Sequence, residues 1–179
     1  MSHRQDRLAA NEFDRRLSRL AVATADQSDP LVDDAVNDVL RLVREILKMD
    51  VAFVSHFQGG RRVFRNVQAG DGNSVIAVGG SDPLESSFCQ RVIDGRLPQL
   101  VHDVAKLRDV AALPPTPFPV GAHLSTPLVL GDGTVYGTLC CFSFAPNETL
   151  TKERDLKRLQ MAARLAARLV DQGKARARG

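Results

Sequence analysis

Residues 122–130, AHLSTPLVL, and 135–143, VYGTLCCFS, limit the folds open to this chain more than any other feature. They are two extended runs joined by Gly131-Asp132-Gly133-Thr134, and an Asp-Gly step between such runs is a strong hairpin signal. Centring the turn on Asp132-Gly133 predicts a register. Leu130 faces Val135, Leu128 faces Gly137 and Leu124 faces Cys141, while Val129 meets Tyr136, Pro127 meets Thr138, Ser125 meets Cys140 and His123 meets Phe142. A bulge would shift one strand by a residue and swap its faces. The two faces differ in character. Ala122, Leu124, Thr126, Leu128, Leu130, Leu139 and Cys141 make a surface for helices. His123, Ser125, Tyr136, Thr138, Cys140 and Phe142 mix polar and apolar groups as a pocket lining does.

The same alternation decides how the Cys140-Cys141 pair is read. Neighbours on a strand project to opposite faces, so the two thiols neither ligate one metal nor bond to each other without a strained peptide. They are expected as buried apolar thiols. Cys89, in SSFCQRV, is either helix core with Phe88 and Val92 or a pocket thiol, and in the latter case the redox or chromophore position.

Around the hairpin the period changes. Apolar residues at helical spacing predict helices over about 11–25 (Phe13, Leu17, Leu20, Ala21), 31–48 (Leu31, Ala35, Val39, Val43, Ile46) and 151–172 (Leu156, Leu159, Ala163, Ala166, Val170). The last carries a second apolar flank, Leu165 and Leu169, which points to packing on its own domain and on a second copy of the helix. Period-two segments predict strands over 51–57 and 61–67 across Gly59-Gly60, with a further strand at 74–78. A short helix over 85–94, an extended step near 100–102 and a helical turn near 104–111 follow. Pro114, Pro115, Pro117 and Pro119 forbid regular pairing in the loop they share, a stiff connector placed as a lid.

The chain has 179 residues, enough for one domain with terminal helices. Its divisions are expected as an N-terminal helix in residues 1–29 that is a candidate dimerisation element, a domain over 30–172, and a basic disordered tail over 173–179. A net charge of +3, concentrated at the two ends, together with one Tyr and no Trp, argues against nucleic acid as a partner. No apolar run reaches the roughly 18 residues that span a bilayer, and the charged N-terminus lacks a signal-peptide core, so a cytoplasmic protein is expected. There a set of three cysteines stays reduced. His102, His123, Cys89 and Cys140 lack the close paired spacings that mark metal sites, and no phosphate loop or catalytic triad spacing occurs. Asp103 stands where it would cap the turn at Val104.

Asp82–Leu107 (DPLESSFCQRVIDGRLPQLVHDVAKL), Val120–Ser143 (VGAHLSTPLVLGDGTVYGTLCCFS) and the closing helix follow one another in the order found in GAF domains. The chain resembles that family, the small-molecule-sensing module of bacterial signalling proteins, over about residues 30–170. The resemblance implies an α+β fold, with a central antiparallel sheet, amphipathic terminal helices on one face and a ligand pocket on the other. It implies a non-catalytic sensor with an unknown cofactor, if any. Its ligand-binding residues would be Phe88, Cys89, Arg91, Asp103, His123, Ser125, Thr138 and Cys140, under the loop 112–121. The partners implied are a small molecule, a second copy through the terminal helices and a separate signalling output protein. Two other classes stay open: a redox enzyme of the free-methionine-sulfoxide-reductase type, and a bilin-binding photoreceptor using Cys89. The cyclic-nucleotide signature of the family is absent, as is the tryptophan of the reductase pocket, and Gln90 stands where bilin attachment sites place His.

Overall fold

The computed structural model describes residues 11–17, 19 and 32–178. Helix α1, Val32–Leu47, opens with Asp33 and Asp34 and closes near Arg44, charges that complement its dipole. Ala35, Val36, Val39, Leu40, Val43 and Leu47 form its buried stripe, the spacing expected from the sequence. It stops at Lys48, which takes a left-handed φ of 54°, while the N–H of Met49 donates back to the carbonyl of Arg44 at 3.0 Å.

Six strands follow: β1 (Val51–Gln58), β2 (Arg61–Ala69), β3 (Ser81–Pro83), β4 (Leu100–Val101), β5 (Ala122–Val129) and β6 (Val135–Ser143). They form one antiparallel sheet in the order β3-β2-β1-β6-β5-β4. The central pair, β1 against β6, joins segments far apart in the chain. A short helix, α2 (Phe88–Ile93), lies between β3 and β4, and helix α3 (Lys157–Ala177) closes the chain. A π-helical turn, Lys152–Leu156, introduces α3. There Thr151 accepts from the N–H of Arg154 at 3.3 Å, and Asp155 reaches back to the N–H of Thr151 at 2.8 Å. This is a capping box whose carboxylate stands one residue later than usual, and the first turn widens to accommodate it.

On one face of the sheet, α1, α3 and the helical segment 11–17 bury Ala52, Val54, Leu124, Leu128, Leu139 and Cys141. On the other, Val51, Phe53, Phe64, Cys140 and Phe142 pack with Cys89 of α2, and Phe118 and Val120 of the proline loop lie over them. The mixed architecture expected from the sequence is the one observed, and Cys140 and Cys141 do separate onto opposite faces.

The hairpin register holds from Leu128–Gly137 through His123–Phe142. Nearer the turn it departs. The N–H of Leu130 donates to Thr134 and that of Gly133 to Leu130, both at 2.9 Å, and Gly133 takes a φ of 85°. This three-residue turn pairs Val129 with Val135 and leaves Tyr136 as the extra residue of a bulge. Tyr136 therefore leaves the pocket face. Its ring packs against the helix-side core, stacked on His56 at 4.1 Å and beneath the ammonium of Lys174 at 5.3 Å.

Other expectations change as well. Residues 74–78 form an irregular loop, because Gly79 and Gly80 take the hydrogen bonds of Phe64 and the edge strand begins only at Ser81. The helix expected to end at Gln172 continues to Ala177, so residues 173–177 are no disordered tail. Gly173 lies against Val32, and Lys174 against Tyr136, which extends the packing past Gln172. The second apolar flank of α3 is covered within the chain, since Leu165 and Leu169 are buried together with Phe13, Leu17 and the α1 stripe. It therefore requires no second copy. Of the expected N-terminal helix, residues 11–17 and 19 are helical, and the stretch expected through residue 25, with Leu20 and Ala21, lies outside the described residues.

Candidate functional site

Two glycines decide how the pocket face is assembled. A Cβ on Gly137 would fall on the carbonyl oxygen of Ser55, and one on Gly121 would fall on the backbone of Ala145 and Pro146. The missing side chains let β6 close on β1 and let the end of the proline loop close on the segment after β6. With β1 and β6 in register, Ser55 stands opposite Thr138 and Phe53 opposite Cys140. The β5–β6 hairpin adds Ser125 beside Cys140 and His123 beside Phe142. Ser87 caps α2 by accepting from the N–H of Gln90 at 3.1 Å, and this sets Phe88 and Cys89 facing the sheet.

Six of the eight expected residues come together. The Cys89 sulfur accepts from the Thr138 hydroxyl at 3.1 Å, and Thr138 pairs with Ser55 at 2.8 Å. The Cys140 sulfur lies 3.1 Å from Nε2 of His123, and Phe88 meets the His123 ring edge-on at 5.3 Å. Ser125 lies next to Cys140 and is fully buried. Arg91 and Asp103 do not join them. Arg91 donates to the carbonyl of Ala112 at 3.0 Å and so ties α2 to the start of the proline loop. Asp103 accepts from the N–H of Ala105 at 3.0 Å, capping the turn Val104–Lys106. His102 also points elsewhere, its Nε2 2.7 Å from the carbonyl of Leu150. Among the described residues, no group of three His, Cys, Asp or Glu side chains is disposed to hold a metal.

Sequence reading missed Arg62. Its guanidinium lies over the rings of Phe64 (4.8 Å) and Phe53 (5.8 Å), forks onto both carboxylate oxygens of Asp82, and donates to the Cys89 sulfur at 3.3 Å. Arg61-Arg62 after a Gly-Gly turn gave no sign of which arginine turns inward. The partner that identifies it, Asp82, comes from a later strand. Ser55 was missed for the same reason, since it acquires a role only when β1 pairs with β6.

The electrostatics follow from these contacts. Hydrogen bonding from Cys140 does most to hold the Cys89 thiol well below its ordinary pKa; burial opposes this, and Arg62 and Thr138 add to it. Burial pushes Cys140 up, and its partnership with Cys89 pushes it further in the same direction. Burial opposes the charge on Arg62, but Cys89 and Asp82 hold it protonated above the usual range. His123 falls to about 3, through burial first and the Arg62 charge second, so it is a neutral imidazole. As a neutral imidazole, His123 has one N–H and one bare acceptor nitrogen, with Nε2 shared with Cys140. Nδ1 of His123 and Oγ of Ser125 are buried without a partner.

The face is closed. Phe118 stacks on Phe142 at 5.3 Å, and Cys89, Cys140, Ser55, Thr138 and Ser125 have no exposed surface. Open concavities lie elsewhere. One of about 550 Å³ runs between the β5–β6 turn and α3, beside Met161, Arg164 and Arg168. Another of about 230 Å³ lies beside His102, Asp103 and Lys106. Among the described residues no helix is long and apolar enough to cross a membrane.

A family model of the GAF domain matches residues 31–171. No curated protein matches the sequence as a relative. Solved structures do match in fold. The GAF domain of a phosphoenolpyruvate-protein phosphotransferase from Acinetobacter superposes with a TM-score of 0.70 at 17% identity, over 100% of this chain and 98% of that one. Free methionine-R-sulfoxide reductase from Neisseria meningitidis, in complex with its substrate, gives 0.69 at 15% identity, over 93% and 92% of the two chains. The chromophore-binding domain of a bacteriophytochrome from R. palustris gives 0.68 at 16% identity, over 93% of this chain and 62% of that one.

Proposed function

Because the chain belongs to the GAF domain family, we propose that it is a non-catalytic sensor that takes a small molecule between the β5–β6 face and the loop 112–121. One observation carries this reading: Nδ1 of His123 and Oγ of Ser125 are buried on that face without partners. A buried polar atom left unpaired costs about 1–3 kcal/mol, and a ligand that pairs with both recovers it. The ligand presents a hydrogen-bonding polar group there, and the rings of Phe88, Phe118 and Phe142 take its apolar part. Entry requires the proline loop to swing away, carrying Phe118 off Phe142 and breaking the tie from Arg91 to Ala112.

The relay uses strand alternation. Each pocket residue of the hairpin is flanked by a helix-facing one: Ser125 by Leu124, Cys140 by Cys141 and Leu139. A shift of the hairpin against its ligand is felt by α1 and α3, provided the ligand binds one arrangement more tightly than the other. Output to a second copy or to a separate signalling protein leaves from the outer strip of α3, where Arg164 and Arg168 are exposed. The closed packing supports a rival reading, a module that only holds helices together. Native mass spectrometry of the protein purified from its own host separates the two. A sensor carries a non-covalent adduct that is lost on denaturation and absent in Ser125→Val. Apo protein whose stability no metabolite fraction raises would sink the sensor reading.

A further inference from the structure

Cys89 is surrounded by donors. Nη1 of Arg62 at 3.3 Å and the Thr138 hydroxyl at 3.1 Å both point at one sulfur, with the hydroxyl of Ser55 behind Thr138 at 2.8 Å and Cys140 in the same buried cluster. A packed apolar cysteine has no use for this set, which is the environment of a thiolate held ready as a nucleophile. Cys140 stands two residues from Thr138 on the same face of β6, so the second sulfur is presented to the first by the strand itself. Cys141, next in sequence, is buried on the opposite face among Leu124, Leu139 and Leu159.

We propose that Cys89 and Cys140 are an oxidisable pair, with Cys89 attacking hydrogen peroxide and Cys140 resolving the product into a disulfide that pins α2 to β6. In the first step, with the proline loop swung off the face, the Cys89 thiolate attacks one peroxide oxygen. An S–O bond forms, the O–O bond breaks, and the departing hydroxide takes a proton to leave as water. Cys89 is oxidised to the sulfenic acid and the peroxide is reduced. In the second step the Cys140 sulfur attacks Sγ of Cys89. The S–S bond forms, the S–O bond breaks, and the hydroxyl leaves as water with the proton that Cys140 gives up. Two thiols and one hydrogen peroxide give one disulfide and two waters. The disulfide removes the thiolate opposite Arg62 and ties the helix beneath the loop 112–121 to the sheet. This chemistry goes beyond the sensing reading and needs no bound ligand.

The test treats the full chain with hydrogen peroxide and reads the intact mass, followed by peptide mapping. The expected result is a loss of two hydrogens in the wild type, reversed by dithiothreitol. Cys141→Ala keeps the change, and there the mapped bridge joins Cys89 to Cys140, with no other thiol on that peptide. Cys89→Ser and Cys140→Ser each abolish it, with circular dichroism showing that they fold; the Cys141→Ala mapping carries the test if they do not. A bridge through Cys141, a bridge between chains, stable addition of oxygen to Cys89 without a bridge, or unaltered thiols would each overturn the pairing.

Discussion

His123 shows how one buried side chain writes a pH dependence into the fold. Its pKa falls from the ordinary 6.5 to about 3 in the folded chain, through burial and the Arg62 charge. The unfolded chain therefore binds a proton that the folded chain refuses between those two values. Stability from this group is fully present above pH 6.5 and is lost as the pH falls toward 3, at about 1.4 kcal/mol per pH unit. His56 is lowered as well, through burial and then Arg65 and Lys174, and adds a slope of the same sign. Urea midpoints measured from pH 7 to pH 4 are expected to fall for the wild type. In His123→Asn the decline is shallower, leaving the part due to His56 and the carboxylates. Equal slopes in the two proteins would mean that His123 is protonated in the native state.

At the scale of elements, the β1–β6 pairing depends on an absent side chain. Gly137→Ala places a methyl group on the carbonyl of Ser55, backbone against backbone, where no rotamer change relieves it. The cost is expected near the top of the overpacking range, about 3 kcal/mol, read as a shift in the urea midpoint. Gly133→Ala meets no neighbour and pays only for its left-handed φ of 85°, about 1 kcal/mol. The reverse order of the two effects would show that the strands separate more readily than their spacing implies. Gly137 directly follows Tyr136, the residue that bulges out, so strand closure and the stacking of Tyr136 on His56 are set by adjacent residues of β6.

Across the whole molecule, the sheet divides two cores that differ in kind. The helix side is aliphatic, with Leu139 fully buried among Leu124, Leu128 and Leu159, whereas the loop side is aromatic and polar. Leu139→Ala removes a side chain from the middle of the aliphatic layer and is expected to cost about 2–5 kcal/mol. The urea midpoint falls and the slope of the transition stays unchanged, because both cores rest on one sheet and unfold together. A second transition in the variant would show that the two sides unfold separately.

Much of this was legible in the chain, and the boundary has a physical basis. The order of helices and strands, the hairpin from Leu128–Gly137 to His123–Phe142, and the separation of Cys140 from Cys141 all follow from periodicity and turn chemistry, which act between near neighbours. Six residues of the candidate site were readable because they share one strand face or one short capped helix. Arg62 and Ser55 were not, because each is defined by a partner on a distant segment; the Ser55–Thr138 bond spans 83 positions. The bulge at Tyr136, the covering of the second flank of α3 and the cluster of donors around Cys89 belong to the same class. Alternation determines which way a side chain points within its own element. Only the burial of whole faces against one another decides what it meets there, and that required the tertiary structure.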